Sequence, residues 1–260
     1  MIIMNTPRKQ SGFTLVEIAI VLVIIGLLLG GILKGQQLIN SARVRNMADQ
    51  NSGVQAAYFG FIDRFRQIPG DMPGAAACAA IGSVVNGCPG AGVGGNQNGR
   101  IDTWPEAAAV WNHLSASGFL NGSYSGAGVT TAATYLGGTL VTPPAVPANA
   151  FQQPIMLAYT DDYEAGTGTA SVRLAFAFGA GIQATMLREL DVKLDDGSPV
   201  TGVMRPTVST ANTGEVAPGV DMGAALIWTG TPVCVTGEGT AAAIYNVDSD
   251  NTSCNAVFLY

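Results

Sequence analysis

The sequence predicts an α+β protein in which one long N-terminal helix leads into a head built around an antiparallel sheet. The first observation is an apolar run over residues 13–33, which continues to residue 65 as apolar side chains mostly three and four residues apart. That spacing is typical of an amphipathic helix. The second observation is a series of short apolar runs after residue 150, separated by turn residues, as in successive antiparallel strands.

The apolar run has the length of a membrane span. Its only ionisable side chain is Glu17, and a helix over residues 13–33 rises about 30 Å, the thickness of a hydrocarbon core. A short polar leader, residues 1–12, comes first, whereas an ordinary secretory signal places its apolar region before the cleavage site. Cleavage after Gly12 would therefore leave the apolar segment on the mature protein.

Residues 9–17, KQSGFTLVE, together with the apolar run, resemble the N-terminal signature of type IV pilins and of the pseudopilins of type II secretion. The resemblance covers about residues 8–66. It implies a pilin-like fold, cleavage after Gly12 and methylation of Phe13 by a prepilin peptidase, and a role for Glu17 in assembly. It also implies an inner-membrane assembly platform, copies of the chain and other pilins or pseudopilins as partners, with membrane lipid around the helix before assembly.

Glu17 is expected to pair with the α-amino group of Phe13 on a neighbouring copy. A lone carboxylate in lipid costs about 3 kcal/mol on insertion scales, so it needs a cationic partner. One departure from the family concerns proline, which many pilins carry within this helix. No proline occurs between Pro7 and Pro69, and the helix instead carries Gly26, Gly30, Gly31 and Gly35.

Four segments follow from this interpretation: a cleaved leader (1–12), a transmembrane and filament-core helix (13–33), its amphipathic continuation (34–67) and an extracytoplasmic head (68–260). We expect a single pass through the inner membrane with the head in the periplasm, and afterwards a periplasmic or extracellular filament. Acidic side chains outnumber basic ones in the head. Nucleic acid is therefore not an expected partner, because phosphate binding needs clustered Lys and Arg.

The four cysteines all follow the apolar run, and an even number suits an oxidising compartment. Three pairings are possible. Short local loops favour Cys78 with Cys88 and Cys234 with Cys254, and the second of these resembles the C-terminal disulfide loop of many pilins. A metal site is the rival interpretation, but the spacings lack the close CxxC pairs of zinc sites.

A weak calcium signal lies after the first cysteine pair. Asn96, Asn98 and Asp102 have spacing similar to an oxygen-ligand loop, and the resemblance adds that some pseudopilins bind calcium in their heads. Calcium takes six to eight oxygens including carboxylates, and this segment offers few. A simple Asn-Gly turn at Asn98-Gly99 is the alternative, and no cofactor is otherwise expected.

The head should contain two further helices. Thr103 and Glu106 form a capping box before a helix that Gly118 ends, and His113 in that helix is expected to have a surface or capping role rather than to act as a catalytic base. A second helix is predicted over residues 182–194. It places Asp191 and Asp195 on one face, where a cation would bridge them. A solvated turn capped by its own aspartates is the favoured interpretation. Strands are predicted at 154–159, 171–178, 224–229, 241–247 and 256–260.

The predicted function is that of a filament subunit, a minor pilin or pseudopilin, and not of an enzyme. The alternative is a membrane-anchored periplasmic binding protein or enzyme that uses the apolar helix only as an anchor. A single histidine, cysteines that suit disulfides, and the absence of a nucleophile or phosphate-loop motif argue against that alternative.

Overall fold

A computed structural model describes residues 15–140, 142–168, 170–207, 234–237, 239–248 and 254–260. The cleavage residues Gly12 and Phe13 and the strand predicted at 224–229 lie outside the described residues. The chain divides into two compact units, residues 1–42 and residues 43–260.

Helix α1 (Leu15–Phe65) is continuous, as the sequence predicts. It ends where Arg66 adopts the left-handed conformation (φ 55°), just before Pro69-Gly70. Within the second unit one stripe of the helix is buried, with the three- and four-residue spacing of a core-facing surface. The stripe consists of Val44, Met47, Asn51, Val54, Ala57, Tyr58 and Phe61.

From the apolar residues at three- and four-residue intervals, the sequence predicts a stripe that begins at Leu38, Ile39 and Ala42 and faces the head. This prediction was wrong at the beginning of the stripe. Leu38, Ile39 and Ala42 were expected to face the head, but all three are exposed, and burial starts at Val44, which the prediction omitted. The periodicity of the sequence does not reveal where burial starts, because apolar residues continue with helical spacing both before Val44 and after it.

The described residues of the head include four shorter helices. Two were predicted: α3 (Trp104–Ala116) and α5 (Ala184–Leu194). The other two, α2 (Gly74–Ala80) and α4 (Ala132–Leu136), were not, because they are one or two turns long and too short for a periodic apolar pattern. A 3₁₀ turn (Gly137–Thr139) follows α4.

Helix α3 is the centre of the head core. The predicted capping box is present: Thr103 accepts a hydrogen bond from the backbone N–H of Glu106, and the Glu106 carboxylate accepts from that of Thr103. Deeper in the core, Trp111 Nε1 donates to the Tyr135 hydroxyl (3.1 Å), which donates to the Ile155 carbonyl (2.8 Å). This chain of bonds ties α3 and α4 to the segment that leads into the sheet.

The sheet has four antiparallel strands: β1 (Met156–Thr160), β2 (Arg173–Ala177), β3 (Met204–Pro206) and β6 (Ala256–Leu259), in the order β1-β2-β6-β3. The C-terminal strand therefore lies between two earlier ones. A separate two-stranded ribbon joins β4 (Val235–Thr236) to β5 (Ile244–Tyr245). Strands predicted at 154–159, 171–178, 241–247 and 256–260 correspond to β1, β2, β5 and β6. Strands β3 and β4 were missed because two or three residues carry no alternation.

The lower half of α1 contacts the head at several points. Phe61 stacks against His113 of α3 with ring centroids 6.2 Å apart, and Arg43 lies over the Phe151 ring at 4.9 Å. Directly after β6, the Tyr260 hydroxyl donates to Asn51 Oδ1 (2.9 Å) and so satisfies the buried polar residue of the stripe. These contacts make residues 43–65 of α1 part of the head unit.

Two disulfides close loops of the head. Cys78 pairs with Cys88 and Cys234 pairs with Cys254, at sequence separations of 10 and 20 residues. No cysteine is left unpaired. The first loop begins at Cys78 within α2, and the second joins the two-stranded ribbon to the start of β6. Each crosslink therefore holds a segment with little regular structure.

The Tyr135 hydroxyl gives a first prediction. Tyr135→Phe leaves a buried indole N–H and a buried carbonyl without their partner, so we expect the free energy of unfolding to fall by about 1–3 kcal/mol. Thermal unfolding of the full chain in detergent, followed by tryptophan fluorescence, measures the effect. Tyr124→Phe is the matched control, because the bond of this half-buried tyrosine to Asn112 (2.7 Å) uses its backbone carbonyl, which the substitution keeps. Equal stability of the two variants would contradict the assigned role.

Candidate functional site

The first turns of α1 present an apolar surface on every side. Each large apolar side chain between Leu15 and Leu33 is exposed, from 45% at Ile25 to 87% at Leu15. By length and composition α1 is the one helix among the described residues that is able to cross a membrane, and none of its most apolar window is buried. A signal sequence near the N-terminus passes the same test, but a soluble core helix would be buried. Such a surface needs lipid or other helices as cover.

Glu17 lies in the first turn of α1. A carboxylate at this position interacts favourably with the positive end of the helix dipole, which lowers part of its cost. This turn is the N-terminal end of the described helix, and the predicted cleavage site precedes it in the sequence. Glu17 is four residues along the chain from Phe13, which lies outside the described residues.

Four glycines in the N-terminal half of α1 face open space among the described residues. A Cβ atom built on Gly26, Gly30, Gly31 or Gly35 would meet no described atom within 4 Å. Gly26 and Gly30, like Gly31 and Gly35, are four residues apart and so share a helix face. This small-xxx-small spacing allows close approach of another helix.

Residues 7–33 match the family model of the prokaryotic N-terminal methylation motif. This is the prepilin-type signature of type IV pilins and pseudopilins. The matched residues include Gly12, Phe13 and Glu17. The match supports a precursor similar to those of type IV pilins and pseudopilins, and the signature is one that structural proteins carry. The comparisons with curated proteins and with solved structures found no match to the chain.

The predicted calcium loop is held by carboxylates from outside it. The buried Asp71 accepts backbone N–H bonds from Asn98 (3.0 Å) and Gly99 (2.8 Å). Glu106 accepts from the backbone of Asn96 (3.1 Å) and Asp102 (3.0 Å). Asp71 and Glu106 thus provide acceptors for backbone N–H groups of a loop that lies outside the sheets. Burial raises the pKa of Glu106, against the effect of these donors.

The three candidate ligands lie in one turn and contact one another. Asn96 Oδ1 accepts the N–H of Asn98 (2.9 Å), Asn98 Oδ1 accepts that of Arg100 (2.9 Å), and Asn98 Nδ2 donates to Asp102 Oδ2 (2.9 Å). The Asn-Gly turn is formed, with Gly99 at φ 87°. A cation in this loop would compete with N–H donors for both amide oxygens.

His113 is buried, so the expected surface role was wrong. Its Nδ1 accepts the N–H of Gly70 (3.0 Å) and its Nε2 donates to the Val93 carbonyl (2.9 Å), which fixes the neutral tautomer. Burial lowers its pKa, against a smaller opposing effect of the Val93 carbonyl. Both ring nitrogens are used to connect α3 to two loops. The residue therefore has a structural role, which periodicity failed to show because both partners lie at least twenty residues away.

Three aspartates converge at the end of α5. Asp191, Asp195 and Asp196 each bring one carboxylate oxygen within 4.8 Å of the others. The sequence predicted that Asp191 and Asp195 share a face, and the structure adds Asp196. Asp196 bonds the backbone of Ser198 (2.8 Å) and the Thr201 hydroxyl, so it caps the following turn as the alternative prediction stated.

Asp191 differs from its two neighbours because it is completely buried. Its Oδ2 accepts a hydrogen bond from the Tyr245 hydroxyl (2.6 Å), while its Oδ1 has no partner among the described residues. Burial raises the pKa of Asp191 to about 6, and the Tyr245 bond opposes that shift. Asp195 is exposed to a greater degree and accepts the N–H groups of Val203 and Met204.

His113 gives a prediction about pH. The pKa of His113 is lowered in the folded state, so the unfolded chain takes up the proton first, below about pH 6.5. Stability that is complete above that pH must therefore decrease as the pH falls through it. We expect His113→Gln, which keeps one donor and one acceptor, to lose stability less steeply between pH 7.5 and pH 5.5. Thermal unfolding of both chains at several pH values tests this, and parallel pH profiles would contradict it.

Proposed function

We propose that the chain is a minor pilin or pseudopilin, a structural subunit of a type IV pilus or of a type II secretion-type filament. The observation that carries the proposal is the methylation motif at residues 7–33, continuous with an apolar helix that is exposed on all sides. In this proposal a prepilin peptidase cuts after Gly12 and methylates Phe13. The chain then remains in the inner membrane with its head in the periplasm until an assembly platform adds it to a filament.

The exposed helix surface explains how assembly proceeds in this proposal. Lipid covers the side chains of residues 15–33 before assembly, and the same segments of neighbouring subunits cover them afterwards. A contact repeated between different patches of identical subunits gives an open helical polymer. The two glycine pairs of α1 face no described atom, and they let neighbouring helices approach closely.

Glu17 sets the axial register in this polymer. Its carboxylate meets the N-terminal amine of Phe13 on the adjacent subunit, within an apolar surrounding that penalises either charge without the other. The attraction is largely offset by the loss of hydration, so the pair contributes specificity more than stability. A displacement of one helix along another would separate the two charges, and the correct register is favoured for that reason.

The head and the helix favour a minor subunit or pseudopilin over an abundant shaft pilin. The head is large, and the apolar helix lacks the proline common in the family. Glycine has low helix propensity, so Gly26, Gly30 and Gly31 are the positions at which the helix would unwind most easily during assembly. An anchored enzyme is less favoured, because the single histidine uses both ring nitrogens for backbone contacts.

Processing gives the first prediction of this proposal. When the chain is expressed with a prepilin peptidase, the mature protein should have the mass of residues 13–260 plus one methyl group. Without the peptidase it should keep residues 1–12. Intact-mass spectrometry of the membrane fraction distinguishes the two forms. A protein that begins at Met1 in the presence of an active peptidase would contradict the proposal.

Glu17 gives the second prediction of this proposal. We expect Glu17→Ala to be inserted and cleaved normally but to enter filaments at least about tenfold less, the change that a loss of ~1.4 kcal/mol per subunit produces. Val16→Ala, a neighbouring truncation without loss of charge, is the matched control. Sheared filaments quantified by immunoblot measure incorporation. Equal incorporation of the two variants would refute the register role of Glu17, and an unrelated span in place of residues 13–33 should abolish incorporation altogether.

A further inference from the structure

Three asparagines of the chain are followed directly by glycine: Asn86, Asn98 and Asn121. In such a pair the backbone nitrogen of the glycine is able to attack the side-chain amide of the asparagine, because glycine has no Cβ atom to obstruct the approach. The attack requires a side-chain amide that is free to turn and a glycine N–H that no other group holds. The hydrogen bonds around the three pairs therefore decide which of them reacts.

The pair Asn98-Gly99 is exposed, but hydrogen bonds hold every group that the reaction uses. The N–H of Gly99 donates to the Asp71 carboxylate (2.8 Å). The side-chain amide of Asn98 donates to Asp102 through Nδ2 (2.9 Å) and accepts from Arg100 through Oδ1 (2.9 Å). A carboxylate beside the glycine N–H also opposes loss of its proton, because it disfavours a second negative charge nearby. This pair is therefore protected although solvent reaches it.

The pair Asn86-Gly87 is held through its asparagine. Asn86 Nδ2 donates to the Ser125 carbonyl (3.0 Å), and the backbone N–H of Asn86 donates to Asn112 Oδ1 (3.2 Å). The Asn86 carbonyl accepts the N–H of Val93 (2.9 Å). The side-chain amide must break its bond to the Ser125 carbonyl before its carbon is able to turn toward the glycine nitrogen. The folded structure therefore protects this pair as well.

The pair Asn121-Gly122 has none of these restraints. Asn121, Gly122 and the following Ser123 are all exposed. Neither the side chain of Asn121 nor the N–H of Gly122 forms a hydrogen bond with another residue that the structure describes. Both the group that attacks and the group that is attacked are thus open to solvent and free of the bonds that hold the other two pairs.

The neighbours of this pair are fixed, so a change at Asn121 stays local. Before it, the N–H of Leu120 donates to the Leu114 carbonyl at the end of α3 (3.1 Å). After it, Asn112 Nδ2 donates to the Tyr124 carbonyl (2.7 Å). Both Leu120 and Tyr124 pack against the core. Replacement of the exposed amide by a carboxylate removes no described hydrogen bond, so the fold of the head should remain.

We propose that Asn121 is a site of spontaneous deamidation in the folded protein. The Gly122 nitrogen loses its proton to solvent hydroxide and forms a bond to Cγ of Asn121, and the side-chain nitrogen leaves as ammonia. Water then opens the resulting cyclic imide at either carbonyl, which gives aspartate or isoaspartate without oxidation or reduction. Each modified chain becomes one charge unit more negative than the formal −6 of the parent at pH 7. The reaction is intramolecular, so the proposal does not depend on the filament function.

Incubation of the full chain in detergent at mildly alkaline pH, followed by digestion and mass spectrometry of the peptides, tests the site. We expect deamidation at Asn121 to be at least about tenfold faster than at Asn86 or Asn98, the ratio that a barrier difference of ~1.4 kcal/mol produces. In the reduced and denatured chain, which lacks the bonds of the folded loops, the three rates should become similar. An equal or faster reaction at Asn86 or Asn98 in the folded chain overturns the proposal, and so does an advantage of Asn121 that unfolding leaves unchanged.

Asn121→Gln provides a second readout. Glutamine keeps the amide but must order one more rotatable bond to close a larger ring, so its deamidation is slower. During incubation the parent chain should form an acidic species that ion-exchange chromatography separates, and Asn121→Gln should form much less of it. Asn98→Gln is the matched control and should form this species at the rate of the parent. An acidic species that persists in Asn121→Gln, or that disappears in Asn98→Gln, overturns the proposal.

Discussion

One helix must satisfy two different surroundings, and this constraint shapes the whole chain. Up to Leu33, α1 is apolar on every side and finds no cover within the described chain. From Val44 it is amphipathic, with one stripe buried in the head. In a helix the backbone N–H and C=O groups bond one another, whatever surrounds the helix. A single helix is therefore able to continue from the exposed apolar part into the part that is buried in the head. The head only needs to cover the second part.

The constraint on the head is different, because much of it consists of loops with little regular structure. Its strands are short, and long segments between them would leave backbone N–H groups without partners. Buried carboxylates provide those partners: Asp71 and Glu106 hold the loop around Asn98, and Glu164 accepts from Gly166 (2.7 Å) and Gly239 (3.1 Å). Bonds of this kind are stronger than neutral ones because the acceptor is charged. The acidic composition of the head is therefore partly structural rather than a property of its surface.

The structural features that were predictable from the sequence are those that neighbouring residues determine. The continuous α1, the capping box at Thr103 and strand β6 were predicted because a few neighbouring residues determine each of them. The burial of His113 depends on Gly70 and Val93, and that of Asp191 on Tyr245, partners between 20 and 54 residues away along the chain. No local pattern encodes such contacts. The candidate ligand pair Asp191 and Asp195 was found because helical spacing is local, whereas the missing partner of Asp191 Oδ1 became visible only in three dimensions.

The limited reach of the family match has a physical explanation. The match ends at residue 33, where the apolar run ends. In the proposed filament, residues before that point must fit a peptidase, a membrane and the same segment of other subunits at once, so few sequences satisfy all three demands. The head must only bury its own core around α3, and its loops are held by two disulfides and buried carboxylates. Many sequences meet that weaker requirement, whereas the apolar helix must meet all three demands with the same residues.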